Sequence, residues 1–298
     1  LGTAWFMQGA AHCYLPAFDP AAYLKLIEKK QVTATVAVPA ILMATVSHPA
    51  ILETDLSSLR VLIYGAAPMA LEWIERVAAA FPPGVLCNSY GLTEVAPDLT
   101  VFEAADFARA ISSGRRDGPV TSVGKPNVLN DLRVVDPTGK DLARGEVGEL
   151  WARGPNITKG YLNLSEETDA AFDGDWFKTG DIAKIDEQGY VYLLDRAKDM
   201  VITGGENVYT SEVEAALHQH AAVAEAAVVG VPDDRMGEAL LAVIVLAEGA
   251  NVEEAELIEH CRPLIGGYKI PRRFEVVDAM PKSALGKILK ADLRKTYG

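Results

Sequence analysis

An α/β fold is predicted for this chain: a parallel sheet, then a β-rich subdomain, then a small α/β domain at the carboxyl end. Three observations predict it. Residues 59–90 read as strand, helix, strand, a βαβ unit whose strands run parallel. From about Ser122 the pattern changes to short alternating segments separated by Asp, Gly and Pro turns. After a polar, glycine-bearing stretch at 193–208, helical and strand patterns alternate again to the end. The boundaries predicted are 1–121, 122–195 and 196–298.

In chain order, residues 1–17 read as an apolar helix leading into a strand edge. A helix over 18–30 has Asp19 to cap it and Pro20 at its first position. Residues 32–38 are β-branched and read as a strand, and Pro39 opens a helix to about Ser47. The strand at 59–64 runs into Gly65, Ala66, Ala67 and Pro68, and the helix at 69–81 leads to a strand that begins at Val85. Parallel strands bring residues 65–68 and 90–94 to the same end of the sheet. Short strands are expected at 131–135, 148–152 and 189–194, a capping box Ser211-x-x-Glu214 opens a helix to about His220, and strands follow at 223–231 and 241–246. A helix at 251–263, a strand at 274–277 and a helix at 287–295 complete the chain. His218 and His220, two apart, point to different sides and read as surface residues.

The 298 residues are 49% hydrophobic, enough for a sizeable core, and carry a formal net charge of −13. That acidity argues against nucleic-acid binding, which rests on Lys and Arg neutralising phosphates. Three widely spaced cysteines, Cys13, Cys87 and Cys261, have no zinc-like spacing and suggest buried thiols in a reducing cytoplasm. No apolar run reaches the roughly 18 residues of a membrane span, and no secretory signal pattern is found. The chain starts at Leu1 in mid-pattern, so it is expected to be the C-terminal part of a longer polypeptide.

The stretch VLCNSYGLTE at 85–94 is the chemical focus. Ligands of open α/β sheets sit at the carboxyl ends of strands. There Tyr90 offers a face for a purine, Thr93 a hydroxyl for a phosphate, and Glu94 a carboxylate for Mg2+. A plain strand-to-helix turn with a capping Thr is the alternative. Gly65, Ala66 and Ala67 let a planar ring lie against backbone, or simply form a small-residue turn. In WFKTGD at 176–181, Asp181 is expected on a Gly turn, where it accepts ribose hydroxyls or merely shapes the turn. Arg196 pairs with ribose or phosphate oxygens, or with Asp195 or Asp199 in a surface ion pair. Lys287, at the end of PKSALGK, can swing onto a phosphate or a carboxylate, or stay solvated.

Taken in series, Tyr90-Gly91-Leu92-Thr93-Glu94, Lys178-Thr179-Gly180-Asp181, Asp195-Arg196-Ala197-Lys198-Asp199 with Gly204-Gly205-Glu206-Asn207, and the PKSALGK stretch closely resemble the adenylate-forming superfamily, and within it the AMP-forming acyl-CoA synthetases. The resemblance covers essentially the whole chain. It implies that ATP and a fatty or aryl acid give an acyl-adenylate, from which CoA takes the acyl group. It also implies roles residue by residue. Gly65, Ala66 and Ala67 would line the adenine and acyl pocket. Tyr90, with Gly91 and Leu92, would hold adenine, Thr93 the α-phosphate and Glu94 Mg2+. Asp181 and Arg196 would hold the ribose, and Lys287 would bridge carboxylate and phosphate oxygens. Lys198 would be the hinge, within 196–199, of a mobile C-terminal cap, and Gly204 and Gly205 would border the CoA tunnel. The partners implied are the acid, ATP and CoA, and the resemblance leaves a homodimer open.

Family members carry a Ser/Thr/Gly-rich phosphate loop upstream of the matching region, and none is found in these 298 residues, so adenylation by this chain alone is expected to be impaired. Two other readings stand beside the CoA ligase. One is an amino-acid-activating adenylation domain, which the 205–214 stretch and Lys198 fit less well. The other is a non-catalytic nucleotide- or CoA-binding fragment.

Overall fold

The computed structural model describes residues 2–114, 118–283 and 287–298. The chain divides into two compact units, Leu1–Asn130 with Pro155–Thr158, and Asp131–Gly154 with Lys159–Gly298.

In the first unit, α1 (Gly2–Met7) is followed by α2 (Pro20–Lys30), whose cap is Asp19: its carboxylate accepts the Ala22 amide at 2.7 Å. Next come β1 (Ala34–Ala37), α3 (Pro39–Ser47), β2 (Val61–Gly65), α4 (Leu71–Ala80) and β3 (Leu86–Tyr90). β4 (Thr100–Phe102), α5 (Ala104–Ser112) and β5 (Lys125–Pro126) complete it. The sheet order is β1-β2-β3-β4-β5; β1, β2 and β3 are parallel, as the βαβ pattern requires, and β4 and β5 join antiparallel. Leu24 and Ile27 of α2, Leu42 of α3, Leu62 of β2, Ile74 and Val77 of α4 and Phe107 of α5 fill the core. The first seventeen residues differ from expectation. The helix stops at Met7, Gly9 takes a φ of +79°, and no strand follows.

The second unit holds two sheets. The first is built from β6 (Asp131–Val135), β7 (Val147–Arg153), β8 (Phe172–Asp173), β9 (Trp176–Ile185) and β10 (Val191–Arg196), all antiparallel, with α6 (Ser165–Ala171) leading into β8. The second contains β11 (Val201–Thr203), β12 (Glu206–Val208), β13 (Val223–Asp233), β14 (Gly237–Leu246) and β15 (Arg273–Val276), with α7 (Thr210–Leu217), α8 (Glu254–Cys261) and α9 (Lys290–Tyr297). Both of its faces are covered. Ala226, Val228, Ala242 and Ile244 pack with Val213 and Leu217 of α7 and Leu257 of α8. Ala227, Val229, Leu241 and Val243 pack with Leu293 of α9. Burial on both sides explains why β13 and β14 read as near-continuous apolar runs.

Two sequence expectations fail here. Ser211-x-x-Glu214 is not a capping box. α7 begins at Thr210, the Ser211 hydroxyl donates to the Leu194 carbonyl, and Glu214 accepts the Val228 amide at 2.7 Å. The cysteines are not all buried: Cys261 is, Cys87 is half-buried and Cys13 is exposed. Among the described residues, no helix is long and apolar enough to cross a membrane.

Candidate functional site

In the first unit, the parallel register pairs Gly65 with Ser89, so β2 and β3 end together and the Gly65 turn and the Tyr90–Glu94 tip share one edge of the sheet. Ala66, Ala67 and Pro68 are exposed there. Ala66 holds a φ of +70°, a left-handed conformation that L-residues other than Gly, Asn and Asp rarely take. Backbone strain of this kind clusters at ligand sites. The glycines of this edge answer first to the protein itself. A Cβ on Gly65 would stand 2.2 Å from the Ser89 carbonyl oxygen, and one on Gly91 would stand 1.8 Å from that of Pro97. Gly91 is therefore a point of close backbone approach and not a flexible joint.

The tip itself is braced. Tyr90, half-buried, ends β3, and its carbonyl accepts the Leu99 amide at 2.8 Å. Thr93, exposed, and Glu94, half-buried, start a short 3-10 turn, Thr93–Val95. The Glu94 carbonyl accepts the Thr158 amide at 2.7 Å, and the Asn156 side chain donates to the Val95 carbonyl at 2.6 Å. Asn127 donates to the Asp98 carbonyl at 2.6 Å, and the Ser89 hydroxyl donates to the Asp98 carboxylate. Asn127, Asn156 and Thr158 escaped the sequence reading because their partners lie about 30 to 60 residues away; PNIT at 155–158 gave no local signal.

In the second unit, Asp181 is not on a turn. It lies within β9, and 8% of its side chain is exposed. β7 and β9 pair Glu149 with Ile182 but Trp151 with Lys178, so residues 179–181 bulge, with Gly180 at a φ of +70°. Bulges re-aim side chains and are common beside active sites. Arg196, at the end of β10, pairs in register with Asp181, and its Nε lies 2.7 Å from Asp181 Oδ1. The Arg196 guanidinium is not paired with Asp195 or Asp199 in this structure, although Asp195 Oδ1 accepts the Arg196 backbone amide at 2.8 Å. Asp195 accepts from Thr210 and Ser211 at the start of α7, and Asp199 lies 2.6 Å from Arg294 of α9.

Lys198 is exposed on the turn between β10 and β11, where the Asp199 and Met200 amides donate to the Arg196 carbonyl at 2.9 and 3.1 Å. Gly204 and Gly205, at φ values of +59° and +86°, form the two-residue hairpin turn joining β11 to β12. Lys287 is exposed, and its amide and carbonyl both bond Ser283. Residues 284–286 of the PKSALGK stretch lie outside the described residues. Sequence reasoning missed Lys290, whose Nζ lies 2.7 Å from Glu214 Oε1 and donates to the Thr210 hydroxyl at 2.7 Å. Burial pushes the Glu214 carboxyl above the usual carboxylate range, and the Lys290 ammonium pulls it partly back.

Among the described residues no three His, Cys, Asp or Glu side chains cluster to cage a metal. Mg2+ commonly takes one or two carboxylates plus substrate phosphates, and the tip carries one carboxylate, Glu94.

Residues 2–162 match the family model described as AMP-binding enzyme, and residues 212–287 match the AMP-binding enzyme C-terminal domain. The chain belongs to the AMP-binding enzyme family. It is 40% identical over 296 residues to a feruloyl-CoA synthase of Amycolatopsis sp, covering 98% of this chain and 57% of that protein. It is 36% identical over 307 residues to a medium/long-chain-fatty-acid–CoA ligase of Mycobacterium tuberculosis, covering 99% and 52%. Among solved structures, an amide bond synthetase from Marinactinospora thermotolerans superposes with a TM-score of 0.86 at 36% identity, covering 95% of this chain and 57% of that one. The chain thus spans little more than half the length of the proteins it matches.

Proposed function

We propose that this chain serves an AMP-forming acid–thiol ligase acting on a fatty or aryl acid. A carboxylate oxygen attacks the α-phosphorus of ATP, the bond to the β-phosphate breaks and pyrophosphate leaves. The CoA sulfur then attacks the acyl carbon, the carbon–oxygen bond to phosphate breaks and AMP leaves. The observation that carries this reading is the shared edge of the Gly65 turn and the Tyr90 tip in a chain of the AMP-binding family. The names of the feruloyl and fatty-acid relatives support the acid class.

Tyr90, with Gly91 and Leu92, holds adenine against the Gly65-Ala66-Ala67 turn, and Thr93 donates to the α-phosphate. Glu94 is the residue that would hold Mg2+, which when bound neutralises phosphate charge. The Asp181 carboxylate accepts ribose hydroxyls while Arg196 fixes its orientation. Adenylation brings two anions together, so the charge of Lys287 lowers that barrier electrostatically. Lys198 is the hinge of a cap spanning 196–298, and Gly204 and Gly205 line the CoA path. Residues 1–121 and 122–195 form the other two parts. Three cysteines outside any disulfide support a cytoplasmic site of action.

A second reading, transfer of the acyl group to an amine, is favoured by the amide bond synthetase likeness. The test supplies feruloyl- and dodecanoyl-adenylate to the purified chain with CoA or with an amine. AMP release that depends on CoA supports the ligase, and release that depends on the amine supports the second reading. Release with neither acceptor counts against both.

A further inference from the structure

We propose that Asp195 is a positioning residue: it latches the cap in one of its orientations about Lys198 by serving as the N-terminal cap of α7. This rests on the hinge role of Lys198 proposed above.

The first four amides of a helix have no partner within the helix, and a side-chain oxygen usually supplies one. In α7 the preceding residue, Tyr209, makes no such bond. The Asp195 carboxylate, from the end of β10, does so instead. Its Oδ2 accepts the Thr210 amide, the Ser211 amide at 3.4 Å and the Thr210 hydroxyl at 2.8 Å. The direction of that hydroxyl bond is fixed. The Lys290 ammonium can only donate, so Thr210 Oγ1 accepts from it at 2.7 Å and turns its own proton to Asp195. Lys290 opens α9, three residues after Lys287. A chain of bonds therefore runs from the helix behind Lys287, through α7, to the residue before Arg196.

A β-bulge makes this possible. β10 pairs Leu193 with Ala183 and Asp195 with Ile182, leaving Leu194 unpaired. The extra residue re-aims Asp195, and the Leu194 carbonyl it frees accepts the Ser211 hydroxyl. The bonds of Asp195 and Leu194 each join a residue before Lys198 to residues after it. Arg294–Asp199, by contrast, lies wholly after Lys198 and would travel with the cap. A turn of the cap about Lys198 must break the Asp195 and Leu194 bonds and leave the start of α7 uncapped, so they hold the orientation in which they form.

The test places spin labels at Glu187→Cys, on the exposed turn between β9 and β10, and Glu254→Cys, at the exposed start of α8, with the native cysteines replaced. Pulsed electron resonance on the whole chain then reads the distance distribution, with circular dichroism and melting curves to verify folding. Asp195→Ala is expected to move population from the latched distance to a second one, shifting their ratio roughly 2- to 30-fold, the range of helix-cap losses. Asp195→Asn should restore the original ratio, because Asn caps as well as Asp. Ser211→Ala, a milder change, should shift the ratio the same way by less. An unchanged ratio in folded Asp195→Ala, or an Asn variant that behaves like Ala, overturns the latch. The hinge is read separately. If Lys198→Pro leaves the distribution unchanged and every variant shows one distance, the hinge reading has failed; a Pro effect without an Ala effect rejects the latch alone.

Discussion

Asp181 and Arg196 face each other across two antiparallel strands, with 2.7 Å between Asp181 Oδ1 and Arg196 Nε. The carboxylate is buried while the guanidinium keeps 38% of its side-chain surface exposed. Arg196 thus fixes the orientation of a carboxylate that would otherwise be costly to bury. Arg196→Ala is expected to cost about 3–5 kcal/mol of stability, because it takes the counter-charge from a buried carboxylate. It should weaken AMP binding by about 10- to 150-fold, the range for a lost charged hydrogen bond. Denaturant melts and calorimetry on one preparation check both figures.

Lys287 is exposed on the loop before α9 and contributes little to the core. Lys287→Ala should slow acyl-adenylate formation by about 10²–10³-fold, as expected for loss of a group that stabilises transition-state charge. Thioester formation from preformed acyl-adenylate should be spared. Single-turnover assays of the two half-reactions separate these outcomes, and equal losses in both would contradict the role.

Gly91→Ala puts a methyl group into the Pro97 carbonyl, at 1.8 Å before relaxation. The tip must move, at a cost of about 1–3 kcal/mol, the usual range for overpacking. Gly84→Ala is a useful contrast: nothing lies within 4 Å of its added carbon, and its only penalty is the φ of +74°. Urea melts of the two variants compare steric clash with backbone strain.

The turn between β13 and β14 supplies a pH prediction. Amides of Met236 and Arg235 donate to the Asp233 carboxylate and hold its pKa below the usual 3.8. With the folded pKa depressed, the stabilisation is present above the unfolded value and is lost as pH falls through the folded one. Melting curves below pH 3.8 should therefore show wild type losing stability more steeply than Asp233→Asn, which does not titrate.

The parts of this molecule legible in its sequence are those set by local pattern. The apolar runs at 59–64 and 85–90 with a helix between them demand parallel neighbours, and the structure has them. Asp19 and Pro20 mark a helix start, and a cap forms there. Pairing register was not legible. Nothing local in WFKTGD reveals that β7 will force a bulge and bury Asp181 in a strand. The apparent capping box at Ser211 fits the rule for helix starts. It fails because Asp195, sixteen residues earlier, satisfies the helix amides, while Lys290, far later, pairs with Glu214. Gly65 and Gly91 were read for ligand access or freedom, whereas the backbone of neighbouring segments alone requires them.

The most direct test of the account is a calorimetric titration of AMP into the purified chain beside its folded Tyr90→Ala and Asp181→Ala variants. The account predicts saturable binding at one site that ATP competes for, weakened about tenfold or more in each variant, as loss of a stacked ring or a charged hydrogen bond implies. Binding that neither substitution changes, or no saturable binding by the folded wild-type chain, would contradict it.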